Sequence, residues 1–166
     1  MSYMRLYDLL PEIALEETRT ITVLPTSNIS LPPGNYGLVE MYCNDEDCDC
    51  RRVLFDVTFS NTMESVAFIG FGWDSIDFYA KWYLGKKVNL RKIPREDLNS
   101  ILDFKGPALN AMSPQSDLAP VILDFVSGYL QEDTEYVNRL KRHYKMFRAK
   151  INEMHIKSND TQSGDL

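Results

Sequence analysis

Apolar and polar positions alternate with a period of two through much of the first half of the chain. In the second half they recur every three to four residues. The first pattern puts side chains on opposite faces of a strand, and the second lines one face of a helix. Residues 6–17 read as a short helical start broken at Pro11. Residues 18–24, rich in Thr, Ile and Val, read as a strand, and residues 25–34 as a loop ending in Pro32-Pro33-Gly34. A second strand is expected over residues 35–43, with Val39, Met41 and Cys43 sharing one face. The clearest strand covers residues 52–59, where Val53, Phe55, Val57 and Phe59 point one way and Arg52, Asp56 and Thr58 the other. Residues 66–71, apolar nearly throughout, are expected at the centre of the sheet. Short connections pair consecutive strands, so the product is an antiparallel meander of three to four strands.

Asp74 is expected to cap a helix running to Leu84 that carries Ile76, Phe78, Tyr79, Trp82 and Tyr83, with Gly85 ending it. A shorter helix fits residues 96–104, stopped by Gly106-Pro107. Ser113-Pro114 signals another, with Leu118, Ile122, Phe125 and Tyr129 on its stripe. Asp133 or Thr134 opens the last, whose stripe is Val137, Leu140, Tyr144, Phe147, Ile151 and Met154. The connection between the last two is short, so they are expected as an antiparallel helical hairpin packed on the meander. The fold class is therefore α+β. Residues 1–157 form one domain, and residues 158–166, small and polar, read as a disordered tail.

The formal net charge is -6, which speaks against nonspecific nucleic-acid binding. Cations still cluster, as Lys86, Lys87, Arg91, Lys92 and Arg95 and again between Arg139 and Lys150. Both runs read as solvated surface. Lys141, Arg142, Lys145 and Arg148 are the residues from which a nucleic-acid contact would be built. No apolar run approaches the roughly 20 residues that cross a bilayer, so no membrane is expected among the partners. An unidentified protein and a second copy of the chain are. The first residues lack a basic segment followed by an apolar one, so the cytoplasm, where thiols stay reduced, is the expected compartment.

In that setting the cysteines stand out. The chain has three, Cys43, Cys48 and Cys50, at the tip of the expected hairpin in Cys43-Asn44-Asp45-Glu46-Asp47-Cys48-Asp49-Cys50-Arg51. An odd number in one short reduced segment favours a metal over a disulfide. Zinc takes four tetrahedral ligands and accepts thiolate and imidazole. The fourth ligand is missing locally, and His143, at the border of the last helix's stripe, is expected to supply it. Arg51 and Arg52 are placed to offset the charge of three thiolates, whereas Asp45, Glu46, Asp47 and Asp49 oppose it. Inert reduced thiols and thiol redox chemistry are the competing readings. A His143-closed site would be structural, in a protein with an interaction or regulatory role. Without His143 an open zinc would suit a hydrolase, with Asp47, Asp49 or Glu40 as base. Gly70-Phe71-Gly72-Trp73-Asp74 reads as a tight strand-to-helix turn rather than a phosphate loop, and Ser116 has no visible base to make it a nucleophile.

Residues 31–37 through 49–53, with residues 139–148, resemble a family of uncharacterised prokaryotic proteins that couples a Cys-x4-Cys-x-Cys hairpin to an Arg-His-Tyr helix. The resemblance spans most of the chain. It implies a shared fold and site, and it carries no activity.

Overall fold

The computed structural model describes residues 1–162, and side-chain environments through Ser158. Its frame is the expected meander. β3 (Gly34–Cys43), β4 (Arg52–Phe59) and β5 (Glu64–Gly72) pair antiparallel in sequence order, with Glu40 opposite Phe55 and Phe55 opposite Ile69. The centre of this trio is β4, not the segment around residues 66–71. β5 continues only into the two-residue β6 (Ala108–Leu109). β4 is buried on both faces from Arg52 to Val57, which fits its central place.

The outer edge of β3 is built in two pieces. β1 (Tyr3–Arg5) pairs with Met41 to Cys43, and β2 (Arg19–Val23) pairs with Gly34 to Leu38. Between them the chain leaves the sheet as α1 (Leu6–Leu9) and α2 (Pro11–Glu17), divided at Leu10 just before Pro11 as the sequence implies. Val39 and Glu40 therefore have no strand partner on that edge.

One sheet face carries Tyr36, Leu38, Glu40 and Tyr42 of β3 beside Val53, Phe55 and Val57 of β4. The buried face of β3 is thus the opposite of the one holding Val39 and Met41, which are only half-buried. This face is covered by α5 (Ala119–Glu132) and α6 (Thr134–Gln162), the C-terminal helical hairpin. The Asp133 carboxylate accepts the amide of Tyr136 at 2.9 Å and so caps α6. α5 starts later than Ser113-Pro114 suggests. Residues 113–118 instead tie to β5: the Ser116 hydroxyl donates to the Val66 carbonyl, and Gln115 bonds both the amide and the carbonyl of Phe68. Helix α6 runs through residues 158–162, so the tail read there begins no earlier than residue 163; residues 163–166 lie outside the described residues.

α3 (Ile76–Leu84) and α4 (Arg95–Lys105) form a second hairpin with a small core of Tyr79, Ala80 and Ile101. The cap of α3 is Ser75, whose Oγ accepts the Phe78 amide, and not Asp74. This hairpin sits close on β5, where an added methyl group on Gly72 would collide with Tyr79.

Candidate metal centre

The hairpin joining β3 to β4 starts at Cys43 and ends at Arg51. Its backbone is bent hard: Asp47 and Arg51 hold φ of 57° and 47°, conformations that L-residues adopt only under constraint. Each follows or precedes a cysteine-bearing position, and the bends fold the loop back on itself. The three Sγ atoms end within 4.8 Å of one another. Cys43 and Cys50 are fully buried, Cys48 is half-buried, and all three are free thiols.

The hairpin is fastened from three directions. Arg51 donates bidentately to Asp49 and, through Nη1, to Asp74 at 3.1 Å, and its guanidinium lies 4.4 Å from the Phe78 ring centroid. Its carbonyl accepts the Tyr79 hydroxyl at 2.6 Å. From α6, the Tyr144 hydroxyl accepts the Arg51 amide and donates to the Cys48 carbonyl, and Arg148 donates to the carbonyls of Cys43 and Asp45. From the N-terminus, the Met1 ammonium and the Ser2 amide hold Asp45. The acids that oppose a thiolate cluster in the sequence are thus partly neutralised: Asp45 faces the N-terminus, and Asp49 faces Arg51. Neither Arg51 nor Arg52 is spent on sulfur. Arg52 donates to the Tyr3 hydroxyl and stacks 4.0 Å from the Phe104 centroid.

The thiols share protons unequally. A hydrogen bond from Cys50 is the main reason the Cys43 thiol falls to about 6, with a backbone hydrogen bond at Asp45 and one from Cys48 adding to it against the cost of burial. The same bond, then burial, drives Cys50 up. Burial, then the Cys43 hydrogen bond, raises Cys48. Cys43 is thus the acceptor between two S–H donors and the most readily ionised of the three. A cation that replaces those protons meets an arrangement already gathered around one point.

His143 is not brought to the thiols. It is fully buried with its Nδ1 2.7 Å from Glu40 Oε2 and its Nε2 2.9 Å from Glu17 Oε2. Both partners are carboxyl groups, an arrangement that favours the doubly protonated ring, in which both nitrogens donate. Burial is the largest influence and opposes the charge, but the hydrogen bonds and charges of Glu40 and Glu17 outweigh it and raise the pKa. The Tyr42 hydroxyl also donates to Glu40, at 2.7 Å, and Arg142 and Arg139 pair with Glu17. This chain of charges ties α2 and α6 to β3 at Glu40, where neither β1 nor β2 pairs. Glu40 carries the one signal in the sequence that pointed here: an acid in register with Tyr36, Leu38 and Tyr42 on a buried strand face. Such a carboxylate requires a buried cation.

Among the described residues, the only His, Cys, Asp and Glu side chains gathered closely enough to hold a metal are Cys43, Cys48 and Cys50. Cys48 opens on a cleft of about 430 Å³ shared with Asp47, Asp49, Tyr144, Lys145 and Arg148. A larger cavity of about 580 Å³ lies over the other sheet face at Thr20, Gly37 and Thr58, and none of the cysteines lines it. No described helix is long and apolar enough to cross a membrane. No family model, curated protein or solved structure matches the chain.

Proposed function

We propose that this chain is a metal-binding protein in which Cys43, Cys48 and Cys50 hold one zinc ion that fastens the β3–β4 hairpin, in a structural or interaction role. The observation that carries the reading is the convergence of three free thiols within 4.8 Å on a loop pinned from α6, α3 and the N-terminus. In a tetrahedron with Zn–S bonds near 2.3 Å, sulfurs stand about 3.8 Å apart, so thiols already within 4.8 Å of one another close by about 1 Å at most on loading. Soft thiolates favour zinc, copper(I) and iron over hard cations. Three thiolates around a dication leave one negative charge, beside Lys145 and Arg148 in the cleft at Cys48.

A second reading has one specific support. With His143 committed to Glu40 and Glu17, the protein supplies three ligands, and the fourth position is left to water or an outside group. An open zinc of that kind activates water for hydrolysis. Asp47 and Asp49 line the adjoining cleft, whereas Glu40 is bonded to His143 and Tyr42 and is unavailable as its base.

Elemental mass spectrometry on protein purified without added metal tests the first reading. One zinc per chain, absent from a Cys43→Ser/Cys48→Ser/Cys50→Ser variant, supports it. Metal-free wild type with three titratable thiols overturns it. A zinc protein that hydrolyses generic ester or phosphoester substrates, and stops when Cys48 is replaced, moves the assignment to the second.

A further inference from the structure

A basic and apolar surface at the far end of the α3–α4 hairpin is independent of the thiols. From Phe78 to Arg95 the chain contains no Asp or Glu but carries Lys81, Lys86, Lys87, Arg91, Lys92 and Arg95, in a protein whose net charge is -6. All six cations are exposed. Lys81 pairs with Asp77, while the other five enter no ion pair among the described residues. Large apolar side chains stand among them: Tyr83 is 48% exposed, Leu90 41%, and Trp82 and Leu84 38% each.

The connection is built to present these groups. Gly85 ends α3 at φ 101°, the Val88 amide bonds the Gly85 carbonyl, and Asn89 caps a 3-10 turn over Leu90–Lys92. Val88 and Ile93 turn inward onto Tyr79, Ala80 and Ile101. Anchored at those points, the intervening lysines and arginines face out. The Trp82 ring stacks on Phe104 at 4.8 Å, so one of its faces is taken and the other is free.

We propose that this connection docks the protein peripherally onto an anionic lipid surface. Five unpaired cations attract a negatively charged headgroup layer at close range, and the attraction is felt within about 10 Å, which lets a local patch act despite an acidic chain. Tyr83, Leu84 and Leu90 then enter the boundary between headgroups and acyl chains, where aromatic and aliphatic side chains are favoured. A nucleic acid satisfies the cations equally well but gives Leu84 and Leu90 nothing apolar to bury in, and Trp82 has only one face left for stacking. The sequence expectation of no membrane partner rested on the lack of a spanning segment, which does not bear on a patch that lies on the surface.

The test is co-sedimentation of the full chain with vesicles of phosphatidylcholine alone and of phosphatidylcholine mixed with phosphatidylglycerol, at low and raised salt. Binding is expected only to the anionic vesicles, and it weakens with salt. Lys87→Glu/Lys92→Glu lowers it about thirtyfold or more. Tyr83→Ser/Leu90→Ser also lowers it, and Lys150→Glu on α6 leaves it unchanged. In a Trp73→Phe background, emission of the remaining Trp82 shifts to the blue on binding. Circular dichroism of each variant separates lost docking from lost fold. No binding, equal binding to neutral vesicles, indifference to the connection variants, or retention of DNA or RNA without vesicles each overturns the proposal.

Discussion

Arg148, at the middle of α6, donates through Nη1 to the Cys43 carbonyl at 3.0 Å, where β3 gives way to the thiol-bearing loop. The same nitrogen donates to the Asp45 carbonyl at 2.9 Å. The C-terminal helix is thereby bolted to the hairpin tip, the junction that the sequence assigns to a His143–metal bond. Replacing the guanidinium removes donors from carbonyls that no other described side chain serves. Arg148→Met, which keeps the apolar stem, is expected to weaken metal retention about tenfold to a hundredfold, as loss of a ligand-orienting contact does elsewhere. Competition with a calibrated chelator measures this. Unchanged affinity would show that the loop holds its shape without α6.

His143 has a different task, and its removal has a different signature. Taking away the buried imidazolium strands the Glu40 carboxylate, whose Oε1 already has no hydrogen-bond partner. His143→Ala is expected to cost about 3–5 kcal/mol of stability. Urea denaturation measures the loss. Metal content per folded chain stays the same, because His143 does not face the thiols.

The same network gives stability a pH dependence with a definite sign. The His143 pKa is raised in the folded protein, so its contribution is complete below the ordinary value of 6.5 and disappears as pH rises through the raised one. The Glu17 pKa is lowered, chiefly by the His143 hydrogen bond, so its contribution is complete above the ordinary 4.5 and disappears as pH falls through the lowered one. The two overlap between about pH 4.5 and 6.5. The difference in melting temperature between wild type and His143→Gln is therefore expected to peak there and to shrink on either side. A difference that is flat across pH would contradict the imidazolium assignment.

Gly72 couples the sheet to the hairpin at one remove. A methyl group there collides with the Tyr79 ring, and Tyr79 is the donor to the Arg51 carbonyl. Gly72→Ala is expected to destabilise the protein by about 1–3 kcal/mol and to loosen the thiol cluster with it. Thermal melts with and without a chelator read both effects in one experiment.

Much of this architecture was legible along the chain because it is local. The alternation through β3 and β4, the break at Pro11 and the capping carboxylate of Asp133 are each set by neighbouring residues. So was the meeting of Cys43, Cys48 and Cys50, since one short loop contains all three. What escaped depends on partners far along the chain. Glu17, Glu40 and His143 meet only because α1 and α2 interrupt the β3 edge and α6 crosses behind it. A period of three to four marks His143 as bordering the stripe, but it does not say whether a carboxylate or a sulfur waits there. Likewise, Ser116 and Gln115 look like a helix start until Val66 and Phe68 of β5 claim their side chains.

The central claim is that the three cysteines, without His143, hold a metal. Elemental mass spectrometry of wild type, His143→Gln and Cys48→Ser, each purified without added metal, tests it most directly. One zinc per chain in wild type and His143→Gln, with marked loss in Cys48→Ser, is the expected result. Metal-free wild type would contradict the claim, and zinc lost on replacing His143 in a folded protein would return that residue to the coordination shell.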